Sequence, residues 1–128
     1  VATHSQSRAA SRTVLVVDDD ASLLALIRIL LTSSGYEVLA ASDGRRALDL
    51  AEQAPVDLVL LDLEMPVMDG RQFFHEFRSR GKTAPVIVVS AHDAEAASSE
   101  IGADGAVAKP FDPASLTSLV GEMLDSRG

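Results

Sequence analysis

Five short apolar runs, most of them rich in β-branched residues, recur along the 128-residue chain: TVLVV (13–17), EVLAA (37–41), VDLVLL (56–61), PVIVVS (85–90) and GAVA (105–108). Each reads as a strand buried on both faces, the pattern of a parallel sheet sandwiched between helices. The segments between them carry the helical period. In ASLLALIRILLTSS, Leu23, Leu26, Ile27, Leu30 and Leu31 form one apolar face, and Gly35 supplies a stop. GRRALDLAEQ follows the cap candidates Ser42 and Asp43, and GRQFFHEFRSR follows Asp69 with Phe73, Phe74 and Phe77 on its inner side. A last helix, from about Pro113, starts with proline in its first turn and turns Leu116, Leu119, Val120, Met123 and Leu124 inward. The expected fold is α/β: a five-stranded parallel sheet with five helices on both faces, doubly wound as (βα)5, with ligands at the carboxyl ends of the strands.

The folded unit is expected over residues 13–125, one domain with a single substantial core. Residues 1–12, VATHSQSRAASR, are polar and aperiodic and read as a flexible tail or linker remnant, and 126–128 as a short C-terminal tail. The start without Met suggests a piece of something longer. No apolar run approaches the ~20 residues of a membrane span and no signal-peptide pattern opens the chain, so the expected compartment is the cytoplasm. A net charge of −8 would repel a phosphate backbone, which argues against direct nucleic-acid binding. Without cysteine there is neither a disulfide framework nor a thiolate site, and His4, His75 and His92 are too scattered to make a zinc centre.

One carboxylate poses a question. Asp62 stands directly after the apolar run LVLL and before a turn, where burial of a lone charge is costly unless something compensates it. The other strand ends supply company. Asp18-Asp19-Asp20 closes the first strand, Ser90 the fourth, and Lys109-Pro110, one of only two lysines in the chain, the fifth. Individually these read as caps and loop residues, and Asp20 is expected to cap the first helix. Together on one sheet edge they form a pocket of carboxylates, a hydroxyl and an ammonium, with the hard oxygen donors that Mg²⁺ prefers.

These residues, in this order and at nearly these spacings, resemble the receiver domain of two-component response regulators: Asp18-Asp19 after VLVV, Asp62 in LLDLEMPVMDG, Ser90 in VIVVSA and Lys109-Pro110 in AVAKPF. The resemblance implies strand order 2-1-3-4-5. It implies that Asp62 accepts a phosphoryl group from a phosphohistidine, as a signalling phosphoacceptor rather than an enzyme, and that the acyl phosphate then shifts a conformational equilibrium. It further implies Mg²⁺ or Mn²⁺ held by Asp19, Asp62 and the main-chain carbonyl of Glu64, with Asp18 acting through a water. Lys109 and Ser90 would contact phosphoryl oxygens, and the Lys109–Pro110 peptide would be cis. The implied partners are a histidine kinase or phosphotransfer protein, with a homodimer or an effector domain beyond them. Glu64 and His92 fall where the family tunes acyl-phosphate hydrolysis.

Two departures stand out. The position of the family's aromatic switch falls on Ala106, which has no rotamer to turn, so output is expected to rest on backbone movement around Ser90. Ser90 and Lys109 are 19 positions apart, shorter than is usual in the family, and AHDAEAASSEIGADG offers few large apolar residues. The fourth helix is therefore expected to be short and poorly anchored, with unusual partner choice or dimerisation. Three rival readings fit the sequence less well. A haloacid-dehalogenase-like phosphatase would share Asp18-x-Asp20, but only Asp112 follows the lysine. A receiver-like docking module should lack one of the acids, the lysine or the hydroxyl. A flavodoxin-like carrier would place its phosphate beside three aspartates.

Overall fold

The computed structural model describes residues 12–65 and 68–126. Strands and helices alternate without exception: β1 Thr13–Val17, α1 Ala21–Ser33, β2 Glu37–Ala41, α2 Gly44–Gln53, β3 Leu58–Leu61, α3 Gly70–Ser79, β4 Val86–Ser90, α4 Ala94–Ile101, β5 Gly105–Ala108 and α5 Pro113–Ser126. All pairings are parallel and the sheet order is β2-β1-β3-β4-β5, as expected.

The strands' period of two divides the core between the two faces. Leu15, Val17, Val59, Leu61 and Val88 face α2, α3 and α4, where Phe73 and Phe77 stack with ring centroids 5.2 Å apart. Val14, Val16, Leu58, Leu60 and Ile87 face α1 and α5, against Ile27, Leu31, Leu116 and Val120. Only β1, β3 and β4 are buried along nearly their whole length. The expectation of double burial fails for β2 and β5, which are edge strands and stay half-exposed over most of their length. The expected face of α1 also narrows. Ile27 and Leu31 are buried, but Leu26 is 42% and Ile29 62% exposed, because the helix is covered by the sheet and α5 along one stripe alone.

Aspartates start the helices. Asp20 caps α1 through the N–H groups of Ser22 and Leu23, and Asp43, not Ser42, caps α2. Asp69 and Gln72 form a reciprocal capping box on α3. Asp112 accepts from Ser115 N–H at the head of α5, a structural use for the acid that follows Lys109.

The fourth helix is short, with eight residues, yet it is anchored. Small side chains at Ala94, Ala97 and Ser98 let it lie close to the sheet, and Ser98 Oγ donates to the Gly105 carbonyl at 2.9 Å. Asp104, just beyond it, accepts from Val86 N–H at 2.8 Å and from Arg78 at 3.2 Å. Close approach and hydrogen bonds replace the large apolar residues whose lack suggested poor anchoring. Of the expected N-terminal tail, residues 1–11 lie outside the described residues. Arg12 is tied in, its carbonyl accepting from Glu37 N–H at 2.9 Å and its guanidinium reaching the Leu124 carbonyl at 3.3 Å. At the other end, α5 reaches Ser126, and 127–128 lie outside the described residues.

Candidate functional site

The sheet's direction of winding reverses at β1, which leads to β2 on one side and pairs with β3 on the other. Such a reversal opens a crevice beyond the carboxyl ends of the strands. Val17 pairs with Leu61, so the residues that follow, Asp18 and Asp62, emerge side by side. Hydrogen bonds fix both backbones: Asp62 N–H donates to Val17 O at 2.9 Å and Asp18 N–H to Ala41 O at 3.0 Å.

Asp18 is 2% and Asp62 6% exposed, while Asp19 faces solvent. Oxygens of all three carboxylates lie within 4.8 Å of one another. Lys109 enters directly from the end of β5 and is followed by a cis peptide to Pro110, with its own N–H bonded to the Ser90 carbonyl at 2.9 Å. Its Nζ lies 2.8 Å from Asp18 Oδ2 and 3.9 Å from Asp62 Oδ2. Asp62 Oδ1 accepts the Glu64 N–H at 3.1 Å, which leaves Oδ2 as the oxygen facing the ammonium.

Three carboxylates share one cation, and the electrostatics follow. Burial, with Asp18 and Asp19 adding repulsion, lifts the Asp62 carboxyl from 3.8 to about 6, against the Glu64 N–H and Lys109, which pull it down. Burial works against the Lys109 ammonium, but the Asp18 hydrogen bond and the neighbouring carboxylates outweigh it and hold Lys109 above the usual lysine range. The excess of negative charge and the hard oxygen donors fit a small divalent cation such as Mg²⁺ or Mn²⁺.

Ser90 is buried at the end of β4, its Oγ turned toward the loop that follows. Glu64 and His92 extend from the β3–α3 and β4–α4 loops and approach each other to 3.6 Å, Oε1 to Nε2. Ala106 lies one strand over, opposite Val88, half-buried. The residues singled out in the sequence thus gather at one sheet edge and its rim, apart from Ala106, which lies lower in β5. Two further residues shape the site. Gly70 packs its α-carbon against the backbone of Asp62 and Leu63, and Asp93 turns the β4–α4 loop. A glycine directly after the capping Asp69 signals the first; nothing in the sequence signals the left-handed backbone of the second.

A family model described as the response regulator receiver domain matches residues 14–121. The transcriptional regulatory protein PrrA of Mycobacterium tuberculosis is 42% identical over 118 residues, covering 90% of this chain and 51% of that protein. The chain thus spans about half the length of this curated relative. The receiver domain of the Francisella response regulator 1452 superposes with a TM-score of 0.85 at 29% identity, covering 92% of this chain and 100% of that one. Response regulator protein TrrA of Thermotoga maritima, solved in complex with Mg²⁺ and BeF, gives 0.80 at 33% identity over 88% of this chain and 99% of that one. Among the described residues, no helix is long and apolar enough to cross a membrane.

Proposed function

Because the chain belongs to the response regulator receiver family of two-component signalling, we propose that it takes a phosphoryl group from the phosphohistidine of a histidine kinase or phosphotransfer protein onto Asp62 and switches conformation. One observation carries this reading: a nearly buried carboxylate stands between two others and a single ammonium at the strand ends. In the transfer, an Asp62 oxygen attacks phosphorus, the P–N bond breaks, and the departing imidazole nitrogen regains its electron pair. Oδ2 is the oxygen on the ammonium's side, and a modest swing takes Lys109 from Asp18 to a phosphoryl oxygen as a point charge. Ser90 Oγ serves a second phosphoryl oxygen. Asp18, Asp19, Asp62 and the main-chain carbonyl of Glu64 would hold Mg²⁺ or Mn²⁺, which supplies positive charge to the transferring group. The domain catalyses at most its own phosphorylation and dephosphorylation, in the cytoplasm, and passes its state to an effector domain or a second copy.

The test is an intact-mass measurement after incubation with Mg²⁺ and acetyl phosphate. A base-labile gain of one phosphoryl group, absent with EDTA, is the expected result. No gain under conditions where Mg²⁺ binds would favour a receiver-like docking module without phosphotransfer.

Glu64 and His92 meet across the mouth of the site and would screen the acyl phosphate from water. Changing either to alanine is expected to shorten the phosphoryl lifetime roughly two- to fivefold, the scale of an exposed pair worth ~0.5–1 kcal/mol. The double variant should lose little more than either single one. Lifetimes equal to that of the unmodified chain would remove the screening role.

A further inference from the structure

The amino ends of the strands carry a second cleft, at the pole opposite Asp62. It lies between the α2–β3 and α3–β4 loops and has a volume of about 320 Å³. Ala51, Phe77 and Ala84, all buried, line its floor, and Arg12, Asp57, Lys82 and Thr83 bring polar groups to its walls. A few placed polar groups over an apolar base, in a space of this size, are what a small-molecule site requires.

The cations at this pole are unequally matched. Arg78 is saturated: it donates to the Lys82 and Ala84 carbonyls at 3.1 and 2.9 Å and to Asp104 at 3.2 Å, and it covers the Phe74 ring at 4.8 Å. Arg80 holds Glu52 and Glu76, each at 3.3 Å. The two cations that line the cleft have far less. Arg12 makes one side-chain bond, to the Leu124 carbonyl at 3.3 Å, and has no carboxylate partner among the described residues. Lys82 reaches the Ala51 carbonyl at 3.4 Å, and its nearest carboxylate is Glu52 at 4.0 Å, already committed to Arg80. Both carbonyls lie in the last turns of helices, α5 and α2, so each cation offsets a helix dipole. These bonds are longer than good N–H···O bonds, however, and most of the guanidinium and ammonium donors stay unspent.

The backbone holds both residues at the cleft. The Arg12 carbonyl accepts from Glu37 N–H at 2.9 Å. Its neighbour Thr13 exchanges two bonds with Asp57, donating to Oδ2 and accepting from the Asp57 N–H, both at 2.8 Å. Asp57, the one acid among the lining residues, is thereby engaged with backbone rather than with either cation. Lys82 N–H donates to the Phe77 carbonyl at 3.3 Å.

We infer that this cleft binds a small organic dianion between the Arg12 guanidinium and the Lys82 ammonium, with the carbon body of the ligand on the apolar floor. The planar fork of Arg12 takes two oxygens of an acidic group, and Lys82 supplies a point charge to the rest. Dicarboxylates and phosphate monoesters share this chemistry. The net charge of −8 repels anions overall, so binding rests on the local pair, with a dissociation constant on the order of a millimolar. None of this depends on the chemistry at Asp62.

The test follows amide chemical shifts of the full chain in EDTA, titrated with succinate and with glycerol 3-phosphate, and with acetate as the singly charged control. Saturable shifts are expected at Asp57, Lys82, Thr83 and Ala84, with Asp62 and Glu64 unmoved. Arg12→Gln and Lys82→Gln should each weaken binding roughly five- to tenfold, the scale of a lost charge-assisted hydrogen bond at a part-exposed site. Glu52→Gln removes the carboxylate that competes for Lys82 and should tighten binding, which a purely structural Lys82 would not produce. Saturation by one dianion and not the other assigns the site to dicarboxylates or to phosphate esters. Shifts that never saturate, affinities equal in all the variants, or acetate binding as well as both dianions would overturn the inference.

Discussion

Asp62→Asn is expected to abolish phosphoryl acceptance and, in the same molecule, to stabilise the metal-free domain at neutral pH. The first effect follows from chemistry, since an amide oxygen is a poor nucleophile toward phosphorus. The second follows from the site's electrostatics. Asp62 has its carboxyl raised from 3.8 to about 6 mainly by burial, with Asp18 and Asp19 adding to it. A group that binds its proton more tightly in the folded state contributes stability at low pH that is lost as pH rises through its folded pKa. In EDTA, ionisation of Asp62 should therefore cost the unmodified domain stability between about pH 4 and pH 6 and leave it lower above. The Asn variant should lack that loss and exceed it by roughly 2–3 kcal/mol at pH 7. Urea unfolding of both proteins across this pH range reads the difference directly, because the other titrating groups are common to both. Saturating Mg²⁺ should narrow the gap by relieving the repulsion. Parallel pH profiles would show that Asp62 is not held protonated by its surroundings.

Gly70→Ala is the second large effect. A Cβ at this position would collide with the Asp62 carbonyl oxygen, lie 2.5 Å from Leu63 Cα and 2.8 Å from Leu63 Cδ2. Two of these are backbone atoms at the exit of β3, and they cannot move without shifting Asp62 itself. Gly70 N–H also bonds to the Leu63 carbonyl at 3.0 Å, which keeps the head of α3 pressed onto that exit. The expected loss is about 3 kcal/mol or more, at the upper end of overpacking costs, with phosphorylation slowed in whatever folds. Gly121→Ala is the control. Its Cβ would meet only Tyr36 Oη at 3.6 Å, in a helix interior where alanine is favoured, so its unfolding midpoint should be unchanged or higher. Equal stability of the Gly70 variant and the unmodified chain would mean that the β3–α3 connection yields freely.

The parts of this molecule legible in the sequence are those with a local pattern. Apolar runs such as LVLL and VIVVS, separated by amphipathic stretches, specify strand, helix and doubly wound order together. The acids and the lysine at the strand ends were legible because the winding brings all those ends to one edge. Burial was less so. Nothing in EVLAA or GAVA distinguishes an edge strand from a central one, since that depends on pairing decided elsewhere in the chain. Leu26 and Ile29 share the composition of a core helix face, and their exposure follows from where α5 lies. The anchoring of α4 is hidden in the sequence for a different reason. Its attachment uses alanines and one serine hydroxyl, whose contribution comes from close approach rather than from side-chain size. Asp93 was hidden most fully, because a left-handed backbone at a non-glycine is imposed by contacts on both sides of it.

The ion pair between Lys109 and Asp18 joins residues 91 positions apart, just beyond the first strand and just beyond the last. On a chain made from its amino end, Asp18, Asp19 and Asp62 all exist before β5 has been synthesised. A partly made chain, or one whose final strand has peeled away, therefore has the acceptor's acids without their ammonium, and a cluster of negative charge that opposes its own closure. If Asp62 is the acceptor proposed above, competence to receive a phosphoryl group would depend on completion of the whole sheet, and fragments ending before residue 109 should be silent toward a phosphodonor rather than weakly responsive.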